Sequence, residues 1–293
     1  GGHTDTVPEN GNLPGRIDDD VLWGLGSADM KGGLAVMLAL AERQVAPATD
    51  VTYVWYAREE VAAAHSGLGE LFELRPDLLS ADVAILGEPT DGHIEAGCQG
   101  TLRGTVTLNG HRAHTARAWM GLNAVHRAGP LLTALHEYEP RKPVISGCQF
   151  HEALLAVGID GGVSGNVVPD QVRISLGHRF APDRTPEQAE AHVRQFLAPF
   201  LESGDSFELD DVASAALPAV TNSVVESLIT RNNLSVSAKL GWTDVARFSE
   251  RGIPAVNLGP GDPTLAHTAD ERVTRASLER SFTALNNLLT DGV

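Results

Sequence analysis

The chain has 293 residues, 42% of them hydrophobic, enough for one large domain or two ordinary ones with sizeable cores. Its formal net charge of -16, from 38 acidic against 22 basic residues, opposes nonspecific binding to nucleic acid or to an anionic membrane surface. Cys98 and Cys148 are too few for a disulfide framework, no apolar run reaches membrane-spanning length and no basic, apolar leader opens the chain, which together point to a cytoplasmic protein with reduced thiols.

Residues 1–5 read as the end of a buried strand, and with no Met before them an upstream segment is expected to have been lost. A loop-rich stretch at 8–26 leads into a helix at 30–45, where Leu34, Met37, Leu38 and Ala41 recur at helical spacing. Residues 51–57 (VTYVWYA) and 81–87 (ADVAILG) are short apolar runs, expected as strands on either side of a helix at 67–75. This α/β alternation predicts a mainly parallel sheet with helices on both faces.

The rhythm changes after Glu95. Residues 101–108 (TLRGTVTL) alternate, 121–138 read as a helix, 153–160 and 171–180 as strands, and 186–201 as a helix capped by Thr185. The pattern predicts a small, open-faced α+β sandwich inserted into the first domain. From about residue 214 the α/β rhythm returns, with a helix at 222–232, a strand at 235–240, a helix opening at Thr243, a strand at 253–258 and a closing helix at 275–289. The expected domains are a discontinuous one, 1–97 with 213–293, and an insert, 98–212.

Polar residues cluster at the strand ends. His3-Thr4-Asp5 sends His3 and Asp5 from one face of the first strand, as a His ligand backed by a carboxylate requires, although a solvated strand end would look the same. Asp29 lies in GSADMKGG (26–33), where loop becomes helix, a place that also suits a simple N-cap. Glu59 and Glu60 follow directly on the 51–57 strand, and adjacent like charges there repel unless solvated or bound to a cation. Glu88 in GEPT (87–90) ends the next apolar strand, and His267 follows the strand that closes in LGPGD (258–262). In open α/β sheets this carboxyl edge is where ligands bind.

His3, Asp29, Glu60, Glu88 and His267 form a sulfur-free set of histidines and carboxylates that suits zinc, or else cobalt or manganese. With one bridging carboxylate the set serves two ions and leaves room for a shared water. Glu59 cannot easily bind the same ion as its neighbour Glu60, which leaves it free as the general base.

HTDTVP (3–8), GSADMKGG, the Glu59-Glu60 pair, GEPT and the late His267 resemble the motifs of the zinc aminoacylase and carboxypeptidase family, whose members include succinyl-diaminopimelate desuccinylases, acetylornithine deacetylases and glutamate carboxypeptidases. The resemblance runs essentially end to end. It implies that Asp29 bridges two zinc ions, that His3 and Glu88 complete one site and Glu60 and His267 the other, that Glu59 is the general base, and that Asp5 fixes the ring of His3. It also implies that the insert serves as a lid and homodimer interface, its GHRAHTA (110–116) carrying His114 to the partner's active site to stabilise an oxyanion.

EAGCQGT (95–101), GNVVP (165–169), RFAPDRT (179–185), KLGWTD (239–244) and GPGD (259–262) resemble the actinobacterial-type desuccinylase branch of the family. Through them Asn166 and Arg179 are implied to hold substrate carboxylates, and Thr243 to contact substrate from a glycine-and-threonine loop. An Arg fork suits a carboxylate, with a structural ion pair as the other use of Arg179. Family members carry further elements ahead of the HxD motif that this sequence lacks. The implied reaction is hydrolysis of N-succinyl-LL-2,6-diaminopimelate by a metal-activated water. Its rivals are deacylation of another N-acyl amino acid such as N-acetylornithine, dipeptide cleavage, and a catalytically silent metal-binding dimeric scaffold. Phosphoryl transfer, which paired metals also serve, is disfavoured by the lack of a phosphate-cradling loop.

Overall fold

Backbone hydrogen bonds hold the first residues between two strands in the computed structural model, which describes residues 1–293: Gly2 donates to Val54, the Gly1 amine to Ile85, and Gly87 back to Gly1. Along the chain the strands are β1 (Gly2–His3), β2 (Arg16–Asp18), β3 (Val21–Trp23), β4 (Trp55–Tyr56), β5 (Ala84–Leu86), β6 (Ile94–Ala96), β7 (Gly100–Asn109), β8 (Val144–Ile145), β9 (Cys148–Gln149), β10 (Ala153–Gly161), β11 (Gln171–Phe180), β12 (Ser206–Ala213), β13 (Val236–Ala238), β14 (Ala255–Asn257) and β15 (Arg272–Thr274). The helices are α1 (Gly32–Arg43), α2 (Gly67–Leu74), α3 (Ala124–His136), α4 (Pro186–Leu197), α5 (Ser223–Asn232), α6 (Val245–Ser249) and α7 (Arg275–Asp291). Two units divide them: Gly1–Cys98, Val144–Gln149 and Ala216–Val293 form one, Gln99–Pro143 and Phe150–Ala215 the other.

In the first unit β13, β6, β14 and β5 form a sheet in that order. The sheet is mixed rather than mainly parallel: β13 runs parallel to β6 and β14 to β5, but β14 is antiparallel to β6. The chain goes from β5 to β6 through a helix-free turn, and a connection that short cannot return the chain to the end from which a parallel strand must start. Two apolar clusters flank the sheet region. Val36 and Leu40 of α1 meet Leu289 of α7 with Tyr53 packed against them, while Leu68 and Phe72 of α2 meet Val245 and Phe248 of α6 together with Tyr56. Tyr53 and Tyr56, an odd number of residues apart, face opposite ways as an extended segment demands.

Helix α1 starts two residues later than its spacing predicts, because Asp29 and Met30 have non-helical dihedral angles. Its buried stripe runs through Gly33, Val36, Met37 and Leu40, which leaves Leu38 in solvent. The loop-rich stretch contributes two unexpected strands, β2 and β3, to an antiparallel sheet that β15 near the end of the chain completes in the order β15-β3-β2. Its residues are too exposed to show a period, and its rigidity comes in part from Arg16 and Arg272, which both stack on the Trp23 ring.

In the second unit β10, β11, β7 and β12 form an antiparallel sheet in that order. Strand β11 alternates: Val172, Ile174, Leu176, His178 and Phe180 are buried, while Arg173, Ser175, Gly177 and Arg179 occupy the other face. Val172, Ile174, Leu176 and Phe180 share one apolar cluster with Leu131 of α3 and Val193 of α4. A capping box between Thr185 and Gln188 opens α4. No helix of the chain is long and apolar enough to cross a membrane.

Candidate metal centre

His3 ends β1, 1% exposed. Its Nδ1 lies 3.1 Å from the Asp5 carbonyl oxygen, which can only accept, so Nδ1 carries a proton, and Nε2 donates a second to Asp29 Oδ1 at 3.1 Å. The Asp5 carboxylate stands farther from the ring, at 3.7 Å, and faces elsewhere: it accepts the backbone N–H groups of Glu59 at 3.3 Å and Glu60 at 3.1 Å. Just before this pair, Arg58 adopts a left-handed φ of 69°. That break in the strand's alternation lets two consecutive carboxylates approach one site.

Asp29 is not a helix cap. Lys31 holds the N-cap position of α1, and Asp29 sits in the preceding turn with φ -115° and ψ 94°. Its two oxygens face two histidines, Oδ1 toward His3 and Oδ2 toward His267 at 3.3 Å. His267, itself at φ 64°, places Nε2 2.8 Å from Glu60 Oε1. Glu88 is 4% exposed, and its Oε1, 3.9 Å from His3 Nε2, has no hydrogen-bond partner. The backbone beside Glu88 is held by close contact: a Cβ on Gly33 or Gly259 would fall 2.1 or 2.2 Å from the Gly87 carbonyl oxygen, so both positions need glycine.

Three groups of side chains have all their ligand atoms within 4.8 Å of one another: His3, Asp29 and Glu88; Asp29, Glu60 and His267; and His3, Glu59 and Glu60. Asp29 belongs to the first two. The proton affinities follow from this crowding. Burial opposes a charge on His3, but the hydrogen bond with Asp29 and the carboxylates of Glu88 and Glu59 prevail and raise its pKa to about 10. Hydrogen bonds to Asp29 and Glu60 raise His267 to about 10 as well. Burial works against the Asp29 carboxylate, yet its two histidine partners hold its pKa below the ordinary range. Burial, then the charge of Asp29, pushes Glu88 up to about 7, and burial with Glu88 and Asp244 nearby pushes Glu59 well above the usual carboxylate range. A cluster of acids so poorly solvated favours a positively charged partner, and Glu88 Oε1 is the buried oxygen among the candidate ligands with no hydrogen bond.

Thr243 lies in the same unit, 3% exposed, and its hydroxyl donates to Asn257 Oδ1 at 3.0 Å. The other three residues expected at the site belong to the second unit. There a bridge pairs His114 with Val167, and Thr115 donates to the Asn166 carbonyl, so two of them are neighbours. The Nδ1 atom of His114 accepts the Ala116 N–H at 3.0 Å, which leaves Nε2 as the donor of the neutral ring. Arg179 lies on β11 opposite Ala153 and Thr101.

Two features escaped the sequence reading. Asp244, fully buried and paired with Arg247 at 2.7 Å, adds charge near Glu59. Glu271, 2% exposed, accepts three backbone N–H groups of the turn that carries Asp29. Nothing in the period of the sequence marks Glu271. Its one signal is an acid placed just ahead of the buried Val273 and close after His267.

The sequence profile described as Peptidase family M20/M25/M40 matches residues 1–291. A Mycobacterium tuberculosis (strain H37Rv) protein, provisionally named succinyl-diaminopimelate desuccinylase DapE, is 48% identical over 98% of this chain and 80% of its own length. The succinyl-diaminopimelate desuccinylase of Corynebacterium glutamicum is 44% identical over 92% of this chain and 74% of its own. Among solved structures, a Staphylococcus aureus tripeptidase superposes with a TM-score of 0.76 at 22% identity, over 99% of this chain and 79% of that one.

Proposed function

From the premise that this chain belongs to peptidase family M20/M25/M40, we propose that it is a metal-dependent amidohydrolase that splits N-succinyl-LL-2,6-diaminopimelate into succinate and LL-2,6-diaminopimelate, a precursor for lysine and cell-wall synthesis. The substrate follows the names of relatives 44% and 48% identical to it. The observation that carries the reaction class is the Asp29 carboxylate shared between two histidine and carboxylate groups.

The side chains fit two cations, with zinc the best match to an all-nitrogen and oxygen set and cobalt or manganese able to replace it. Asp29 would bridge, His3 and Glu88 would complete one site, and Glu60 and His267 the other. The buried, unpartnered Glu88 Oε1 supports this assignment, since a cation answers its lost hydration. Bound cations supply Lewis acidity, which acidifies a water and polarises the scissile carbonyl.

The chain's own residues then move the proton. Glu59, whose backbone is fixed by Asp5, takes it from the attacking water and returns it to the leaving nitrogen. A carboxylate whose proton affinity is raised by burial suits both halves of that task. His114, with Nε2–H free to donate, would stabilise the oxyanion from a partner subunit, while Asn166 and Arg179 would hold substrate carboxylates and Thr243 would contact substrate from its own loop.

The insert is assigned as lid and homodimer interface. The edge strand β10 supports this, exposing Leu155 and Val157 beside Gly177 of β11 on the sheet face away from the apolar cluster, which a second copy would cover. Cytoplasmic residence belongs to the same reading and suits the two free thiols.

The test is release of succinate from N-succinyl-LL-2,6-diaminopimelate by the purified chain, with zinc and with chelator, beside N-acetylornithine. Zinc-dependent release of succinate alone is expected. Turnover of acetylornithine instead would overturn the substrate, and turnover unaffected by chelator would overturn the metal.

A further inference from the structure

Glu271 reaches across the first unit to grip the turn that presents Asp29. Its Oε1 accepts the N–H of Asp29 at 3.0 Å and of Ala28 at 3.1 Å, and its Oε2 accepts that of Gly26 at 2.9 Å. Its carbonyl oxygen also accepts the N–H of Gly24 at 3.1 Å. Four amides of one turn therefore close on a single residue. Three of them converge on one carboxylate as they would on a bound anion, except that the anion is the protein's own.

The other end of Glu271 leads to the second histidine. The Glu271 N–H donates to Thr268, which follows His267 directly, and β15 begins at the next residue, Arg272, and pairs with β3. The turn that carries Asp29 and the loop that carries His267 are thus fastened at one point. Turn residues 27–31 are not a regular helix, so they have no complete ladder of their own to fix the Asp29 carboxylate.

We propose that Glu271 is a positioning residue for the metal pair: it sets Asp29 against His267, and so controls how tightly the ion between them is held. This inference rests on the metal assignment above. Asp29 enters both groups, so a turn free to move would loosen both ions, and the more exposed His267 side would loosen first.

Glu271→Gln keeps the volume but sets an amide NH2 against backbone N–H groups. The direct experiment is zinc titration of metal-free wild type and E271Q by competition with a chelating dye, with thermal unfolding of both in chelator. The expected result is two ions in each, the weaker one bound about 10–100-fold less tightly in E271Q, as for other residues that orient ligands from behind. Added zinc should then restore turnover with KM unchanged. Equal zinc affinity in both proteins, with only the unfolding midpoint lowered, overturns the proposal and leaves Glu271 a structural residue. A wild-type chain that binds no zinc instead sinks the metal assignment itself, and the proposal with it. If E271Q does not fold, amide exchange in metal-free wild type decides. Protection at Gly26, Ala28 and Asp29 supports the clamp, and exchange at the rate of an open loop overturns it.

Discussion

Nε2 of His267 lies 2.8 Å from Oε1 of Glu60, and with Asp29 the pair forms the most open of the three side-chain groups that could hold a metal ion. The His267 side chain is 51% exposed, against 1% for that of His3. An ion held by His267 therefore stays closer to bulk water, and its loss should come first. Zinc titration of the metal-free chain is expected to show two steps, and His267→Ala to abolish the weaker one, leaving a single ion per chain. Two ions bound at wild-type affinity in that variant would remove His267 from the ligand set.

Glu59 and Glu60 are neighbours in sequence but are given different tasks, so their substitutions should separate. Glu59→Gln is expected to keep the metal content and lower kcat by about 100- to 10,000-fold, the ordinary weight of a general base. Glu60→Gln should lower zinc content instead. Asp5→Ala removes the acceptor of both backbone N–H groups and should cost about 10–100-fold in activity, as orienting residues do. Steady-state kinetics beside metal analysis checks all three, and zinc loss in Glu59→Gln would reverse the assignment.

The pH dependence of the metal-free fold has a definite sign. The pKa values of His3 and His267 rise from the ordinary 6.5 to about 10, so the folded chain keeps protons that the unfolded chain releases. The stabilisation is complete below pH 6.5 and is lost as pH rises through 10. Glu88, moved from 4.5 to about 7, acts in the same direction at lower pH. In chelator the unfolding midpoint should therefore fall steadily from pH 6.5 to pH 9.5. Zinc binding displaces these protons, so zinc affinity should rise over the same range. A midpoint in chelator that climbs with pH would contradict the crowded, proton-sharing site.

The elements legible in the sequence were those with a period. Strand β11 was readable because its buried residues alternate without a break, and α4 because Thr185 and Gln188 announce its start. The β2 and β3 strands had no such signal, since their stability lies in two arginines stacked on Trp23 rather than in an apolar face. The five candidate ligands were visible as acids and histidines at strand ends, where nothing in a core would keep them. Asp5 was visible too, as an HxD carboxylate beside the ring, and it stands 3.7 Å from His3 Nδ1, but its hold on the amides of Glu59 and Glu60 was not. The grip of Glu271 on the Asp29 turn had no signal beyond its place between His267 and Val273, because its partners are backbone amides more than 240 positions away. Side-chain types carry no record of such pairings. The antiparallel entry of β6 was likewise hidden, being set by the length of a turn.

Glycine close to Glu88 gives a test of the geometry that does not depend on titration. A Cβ on Gly33 would stand 2.1 Å from the Gly87 carbonyl oxygen and 2.9 Å from its carbon. Both are backbone atoms, so no rotamer change can relieve the clash. The first turn of α1 and the end of β5 would have to part, carrying Glu88 away from His3. Gly33→Ala is therefore expected to destabilise the fold by about 1–3 kcal/mol and to weaken zinc binding as well. Gly129 provides the contrast: it lies in the exposed middle of α3, and apart from its chain neighbours and its own helix backbone no heavy atom comes within 4 Å of an added Cβ. Gly129→Ala should change stability by less than about 1 kcal/mol, because the gain in helix propensity is offset by Pro130, which disfavours helical angles at a preceding residue that carries a Cβ, and should leave zinc affinity untouched. Urea unfolding of both variants beside zinc titration reads the difference. If Gly33→Ala kept wild-type stability and zinc affinity, α1 and the Glu88 strand would not be in the close contact that places Glu88 beside His3.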